Sequence, residues 1–431
     1  MPGHDPFGDL IAPFSRRGVD LGLERLPAAL AELGHPERRF AAVQVAGTNG
    51  KGSISTMLER IASAAGLRCG LYTSPHLLSW CERIRLPDGL ISEAQLRRLL
   101  EALQPVALRH NLTPFELITV AAFQAFAEAS VQLAVLEVGL GGRLDATTVH
   151  PDRQVLAFAS IGLDHTEHLG PTLAAIAAEK AGVLHAGAAA VSGPQEPEAA
   201  AVLERQAAAC GCALRWVEPL PPAAAAGPRL GLAGDLQRHN AAVAAGAARA
   251  LAERGWPISE AAILAGLAGA RWPGRLERRS FRGRPLLLDG AHNPPAAIAL
   301  RRELDGALAG AADPPAGAGR RWLIGIQRHK DAPELLQALL RPGDAVRITP
   351  VPEHRSWEAG ELQAALADSA AAASAGLHPE AITLHNGGDD PAADLAWLVA
   401  SPLLPVACGS LYLVADLLPR LDPEAPAPTT D

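Results

Sequence analysis

Short apolar runs alternate with longer amphipathic segments along most of this chain. FAAVQVAG leads into the helix-like STMLERIASAAG, which ends on Gly66; CGLYTS precedes FELITVAAFQAFAEAS; QLAVLEVGLGG and QVLAFASIGL precede a helix near TLAAIAAEKAG. Strand runs spaced by helices predict a parallel α/β architecture. A second α/β series opens after RWPGRLE with RPLLLDGAHNPP and continues through RWLIGIQ, DAVRITPV, a weak AITLH and PVACGSLYLV, which places a domain boundary near residue 278. PLPPAAAAGPRLG and LAGAADPPAGAGRR, rich in Pro, Gly and Ala, read as loops or insertions. SPLLPVACGSLYLVADLLP is broken by Pro405, Gly409 and Asp416, so it predicts a strand followed by a helix, not a membrane span. Ligands of parallel α/β folds collect beyond the carboxyl ends of strands. GTNGKGS, TSPH, EVGLGGRLD and SIGLDHTEH all follow predicted strands, so one shared site is expected from segments far apart in sequence.

Composition narrows the partners. The 431 residues are enough for two or three ordinary domains, each with its own core. Lys and Arg number 38 against 46 Asp and Glu, for a net charge of −8 without a basic tract, so neither nucleic acid nor an anionic membrane is an expected partner. A small anionic ligand needs only local positive charge. Five cysteines without CxxC spacing are expected as reduced thiols in a cytoplasmic protein, with a metal at Cys210 and Cys212 the less favoured reading. MPGHDPFGDL carries acids and prolines where an export signal has a basic region and an apolar core, in keeping with the same compartment.

The most specific chemistry lies in AVQVAGTNGKGSIS. Glycines at 47, 50 and 52 let backbone N–H groups close around an anion, Lys51 adds a point charge, and Ser53 is placed to reach a phosphate-bound Mg²⁺. Val45 occupies the place of the usual first glycine and Gly52 separates the lysine from the hydroxyl, so a flexible glycine turn is the alternative. Glu137 closes its strand run directly before Gly139, Gly141 and Gly142; it is a Mg²⁺ ligand or a structural ion pair. In DHTEH, His165 is a candidate metal ligand, although the spacing matches no zinc motif and Thr166 to His168 also suit a helix cap. Lys180 of AEKAG reads by default as a solvated helix lysine. Arg275 follows a Pro-Gly turn and is aimed at phosphate or held in a boundary salt bridge. Asp289 and His292 lie in a loop beyond PLLL, where binding is the commoner role, and Asn240 is a ligand contact or a helix cap.

Taken in order, GTNGKGS, TSPH, EVGLGGRLDAT, SIGLDHTEHLG, EKAG, PGRLE and DGAHNP resemble the folylpolyglutamate synthase/dihydrofolate synthase family of the Mur ligase superfamily. The resemblance runs from VDLGLERL to GSLYLVADLL, and the family uses this same nonstandard phosphate loop. It implies a P-loop ATPase-like domain with a parallel sheet, residues 1–278, followed by a smaller Rossmann-like glutamate-ligase domain, residues 279–431. By matching motifs, Thr48, Asn49, Gly50, Lys51, Gly52 and Ser53 would hold ATP, with Asn240, Arg275 and Asp289 as further contacts and His292 near the γ-phosphate. Ser74, Glu137 and His165 would ligate Mg²⁺, and a carbamylated Lys180 would organise a second Mg²⁺. Val19, Asp20 and Leu21, then Thr113, Pro114, Phe115 and Glu116, and Leu144, Asp145 and Ala146 would bind the pterin-bearing substrate. Two departures stand out: LQRHN has Leu236 where the family has His, which bears on Gln237 and His239, and the usual LDATN is LDATT, with Thr147 and Thr148 after Ala146.

The implied reaction is ATP-dependent amide formation between L-glutamate and dihydropteroate or a reduced folate, through an acyl phosphate. Lys51, Lys180 and His292 are the expected catalytic residues, domain closure is expected to exclude water, and a monomer is usual in the family. A peptidoglycan-precursor ligase of the same superfamily is the nearest alternative, but its additional N-terminal domain has no counterpart before the phosphate loop. A nucleotide-gated protein that hydrolyses ATP without ligating anything is the alternative from a different class.

Overall fold

The computed structural model describes residues 5–17, 20, 22–222, 227–306, 319–368, 383–388 and 390–423. Two compact units emerge, one of Met1–Leu232 with Gln237–Trp272 and one of Ala233–Leu236 with Pro273–Asp431. Each is α/β.

The first unit is built on eight strands: β1 (Ala41–Ala46), β2 (Cys69–Tyr72), β3 (Ile84–Leu86), β4 (Gly89–Leu90), β5 (Leu133–Glu137), β6 (Arg153–Phe158), β7 (Ala189–Ser192) and β8 (Ala213–Trp216). Their spatial order is β4-β3-β2-β5-β1-β6-β7-β8, parallel except for the β2-β3-β4 edge. β1 lies inside the sheet with all six residues buried, which is why AAVQVA reads as a continuous apolar run broken only by Gln44. Its alternate residues serve different cores. Val43 and Val45 pack with Ile54, Met57 and Ile61 of the helix Lys51–Ala64, while Ala42 joins Phe123 and Phe126 of the helix Pro114–Glu128 on the other face. The helix Lys51–Ala64 starts at Gly50, whose φ of 100° is left-handed, and Gly66 at φ 80° follows its end.

The second unit has β9 (Glu277–Phe281), β10 (Arg284–Leu288), β11 (Arg320–Ile324), β12 (Ala345–Ile348), β13 (Leu384–Asn386) and β14 (Leu404–Cys408), ordered β13-β12-β11-β14-β10-β9. Only β9 runs antiparallel, against β10. Trp322 and Ile324 enter one core and Leu323 the other, again by alternation along a buried strand. The expected split of SPLLPVACGSLYLVADLLP is seen as β14 and the helix Leu411–Leu417. Among the described residues no helix is long and apolar enough to cross a membrane, and all five cysteines are free.

Several elements escaped the pattern. β8 has no buried residue, and β9, ERRSF, is a charged edge with one buried side chain, so neither shows the alternation of a half-buried strand. The helix Glu93–Arg109 carries Pro105 in its interior, a residue that argues against helix when read alone.

The phosphate-loop helix is held by close packing against the helix Glu260–Gly269. A Cβ at Gly266 would stand 2.4 Å from the backbone nitrogen of Ile61 and 2.5 Å from its Cα. Alanine is the better helix former by about 1 kcal/mol, yet Gly266→Ala is expected to destabilise the protein by about 1–3 kcal/mol through overpacking. A lowered urea midpoint is the expected result; a raised one would mean that the helices can separate freely.

Candidate active site

Because β1 lies between β5 and β6, its carboxyl end faces theirs. Val45 is level with Glu137, and Ala46 with Phe158. The loop Gly47 to Gly50 leaves from this point and is pinned to the segment after β6. Thr48 and Asn49 donate their backbone N–H groups to Ser160 O at 2.7 and 3.2 Å, and the Thr48 hydroxyl bonds Gly162 O at 3.1 Å. Gly47, at φ 138°, has no room for a side chain: a Cβ would lie 2.7 Å from that of Ala159. At Gly50 a Cβ would come within 2.4 Å of Asn240 Oδ1. The glycine turn is therefore a fixed, shaped loop at the start of a helix, a ready anion cradle.

Two amines sit on this loop. Lys51 Nζ donates to Thr48 O at 3.0 Å and Lys180 Nζ to Gly47 O at 2.8 Å. Lys180 is 4% exposed, which overturns its reading as a solvated helix lysine. Burial, reinforced by the positive charge of Lys51 and opposed by Asp164 and Asp145, brings its amine down from 10.5 to about 7. Its helix, Leu173–Ala181, is capped by Thr172, not by Thr166 to His168, which form the short turn Thr166–Leu169 themselves. His165 precedes that turn in a left-handed conformation at φ 50°, with Nε2 3.9 Å from Asp164 Oδ2.

Glu137, 4% exposed, accepts a hydrogen bond from Ser74 N at 3.3 Å, so TSPH and the end of β5 meet. Asp145 is buried and saturated. Its Oδ2 accepts from Gly139 N (2.9 Å) and Leu140 N (3.2 Å), and its Oδ1 from Thr147 N (2.9 Å) and Oγ1 (2.5 Å); burial raises its pKa against these bonds. The carboxylate thus shapes the glycine-rich loop after Glu137. The two threonines of LDATT have partners of their own: Gln44 Nε2 donates to both hydroxyls at 2.8 Å, and Thr148 Oγ1 donates to Gly142 O at 2.7 Å. Arg143 N bonds Glu179 O at 2.9 Å, tying that loop to the helix that carries Lys180.

The TPFE segment reaches the same place. Thr113 and Glu116 form a reciprocal capping box at the start of Pro114–Glu128. The Phe115 ring packs against Gly139 and lies 6.1 Å from the ring of Tyr72 at the end of β2. Asp20 is linked to Glu116 through Arg25. Val19 and Leu21 lie outside the described residues. Leu144 and Ala146 flank Asp145, and Ala146 is buried in the core beneath the helix Pro114–Glu128.

Asn240 is not a helix cap. It lies inside Leu236–Glu253, buried, with Nδ2 donating to Gln237 Oε1 at 3.0 Å, whereas His239 is exposed. In the second unit Asp289 follows β10 and accepts from Leu276 N (2.9 Å) and Ala291 N (2.8 Å); burial raises its pKa, and the Arg275 charge opposes the shift. His292 Nδ1 contacts Gly290 O at 2.7 Å. Arg275, Asp289 and His292 therefore form one group there, while the remaining described candidates gather around β1. Arg25 and Gln44 were not singled out in the sequence, since each acts through a contact distant along the chain.

Comparisons with known proteins agree on one family. The model described as dihydrofolate synthetase, C-terminal domain, matches residues 275–420. The probable dihydrofolate synthetase of Schizosaccharomyces pombe is 31% identical over 429 residues, covering 93% of this chain and 98% of that protein. The Bacillus subtilis dihydrofolate synthase/folylpolyglutamate synthase is 38% identical over 307 residues, covering 64% and 70%. Among solved structures, Mycobacterium tuberculosis folylpolyglutamate synthase complexed with ADP aligns with a TM-score of 0.81 at 28% identity, over 97% of this chain and 100% of that one. E. coli FolC in complex with DHPP and ADP aligns at 0.78 and 28%, over 97% and 98%.

The buried amine makes stability depend on pH. The folded chain releases the Lys180 proton at about pH 7 and the unfolded chain near 10.5, so between these values the unfolded state binds more protons and stability rises with pH. Lys180→Met removes this dependence. Relative to the variant, the native protein is expected to gain about 3 kcal/mol between pH 7 and 9.5, read by urea unfolding at both values. Parallel stability curves would mean that the amine titrates as if in water.

Proposed function

The chain belongs to the folylpolyglutamate synthase/dihydrofolate synthase family, ADP-forming ligases that join L-glutamate to a pterin-bearing carboxylate, and we propose that the residues gathered around β1 carry that reaction here. The observation behind this reading is the convergence of the phosphate loop, Glu137, Lys180 and the TPFE segment on the carboxyl end of one sheet. The acceptor is dihydropteroate, a reduced folate, or both.

A carboxylate resists attack by an amine because oxide is a poor leaving group. In the proposed sequence a carboxylate oxygen attacks the γ-phosphorus of ATP, the bond to the β,γ-bridging oxygen breaks, and ADP leaves. The amine of glutamate then attacks the acyl carbon and phosphate departs. Gly50 and Gly52 hold the phosphates through the backbone, Thr48 and Asn49 fix the shape of the loop by donating to Ser160 O, and Lys51 offsets the phosphate charge. Asn240, beside Gly50, is a further ATP contact.

The donor chemistry suits Mg²⁺. Among the described residues Ser53 Oγ, buried at the start of the phosphate-loop helix, has no hydrogen-bond partner, and Glu137 offers hard oxygens beside Ser74. Mg²⁺ commonly keeps several waters and phosphate oxygens in its shell, so a few hard protein oxygens suffice. Ser53, Ser74, Glu137 and His165 would hold it, and a bound ion would neutralise charge on the transferred group. Lys180 near neutrality is suited to carbamylation: its neutral amine adds CO₂, releases a proton and becomes a carboxylate able to serve a second Mg²⁺.

Purified protein with ATP, Mg²⁺ and labelled glutamate is expected to release ADP only when dihydropteroate or tetrahydrofolate is also present, with label entering the pterin product. ATP hydrolysis independent of glutamate would favour the nucleotide-gated alternative. Glu137→Ala is expected to lose activity on the order of a hundredfold or more while remaining folded; near-normal turnover would remove it from the metal site. Lys180→Ala is expected to be inactive and partly restored by short-chain carboxylic acids, whereas full activity without them would exclude the carbamate.

A further inference from the structure

We propose that Arg25 is a positioning residue for the pterin-bearing substrate, its guanidinium setting Asp20 against the TPFE capping box. The inference rests on the reading that these two segments line the acceptor site.

The two edges of the guanidinium serve different segments. Nε donates to both oxygens of Glu116, at 3.2 and 3.1 Å. Nη1 donates to Asp20 Oδ2 at 2.7 Å and Nη2 to Asp20 O at 3.0 Å. Arg25 therefore holds the backbone carbonyl of Asp20 as well as its carboxylate. Only a planar fork can span both partners; a lysine ammonium is a compact point and must choose one.

Glu116 is committed to this task. It is 4% exposed and also accepts from Thr113 N at 2.7 Å, so its carboxylate closes the helix cap and receives Arg25 at once. The Arg25 side chain is 18% exposed and shielded from water on the Glu116 side, which separates this contact from an ordinary surface ion pair. The chain of contacts continues inward: the residue before Glu116, Phe115, packs against Gly139, two residues beyond Glu137. Arg25 thus holds the outer wall of the acceptor site in register with the residues at the end of β5.

A residue that only positions one wall should affect one substrate. In steady-state kinetics, Arg25→Gln is expected to raise KM for dihydropteroate or tetrahydrofolate tenfold or more, with KM for ATP within twofold and kcat within threefold of the native values. Arg25→Lys is expected to recover less than half of the loss on a logarithmic scale, because charge without the fork holds only one partner. Asp20→Asn, at a side chain 39% exposed, tests the link without threatening the fold. Its effect on pterin KM should largely vanish in the Arg25→Gln background. An unchanged pterin KM in Arg25→Gln, equal losses for pterin and ATP, or multiplicative effects in the double variant would overturn the proposal while leaving the ligase reading intact. Absence of glutamate-dependent ADP release from the native protein would instead remove that reading.

Discussion

The contact between the Lys180 amine and the carbonyl of Gly47 is the constraint on which the site depends. A lysine is costly to bury, and this one is repaid by a backbone acceptor and by partial loss of its proton. In return it joins the first residue of the phosphate loop to the helix Leu173–Ala181. That helix is joined through Arg143 to the loop shaped by Asp145, and that loop to Glu137. Each segment is held by a neighbour whose position the sheet has already set, with β1 between β5 and β6 fixing the common origin. The arrangement is stiff because its bonds are mostly to backbone, and buried backbone groups have few alternative partners.

Much of the fold was legible because buried parallel strands are continuous apolar runs and the glycines and helix caps between them punctuate clearly. β1, β2, β5, β6, β10, β11, β12 and β14 all fall in runs such as AVQVA and LAVLE. β8 and β9 did not announce themselves, since an edge strand buries little and its side chains are chosen by solvent.

The site was legible as a set of segments and much less as a set of roles. GTNGKGS carries its chemistry in local spacing. Lys180 does not: a lysine on a helix looks solvated until the loop above it is known. The same holds for LDATT, where the hydroxyls of Thr147 and Thr148 answer a glutamine that precedes them by about a hundred residues. Burial and long-range pairing decide such roles, and neither is written in a local motif.

In the acceptor site proposed above, the saturated carboxylate of Asp145 has a consequence for molecular recognition. A wall whose polar atoms already satisfy one another loses little conformational freedom when a guest arrives, so more of each contact's energy is retained as affinity. The same rigidity limits accommodation. A bulkier analogue cannot obtain space by turning Asp145 aside without leaving the N–H groups of Gly139, Leu140 and Thr147 dry and unpaired. Discrimination among related guests would then come mainly from their outline against this wall, and an inhibitor that respects that outline would gain little from added flexible arms.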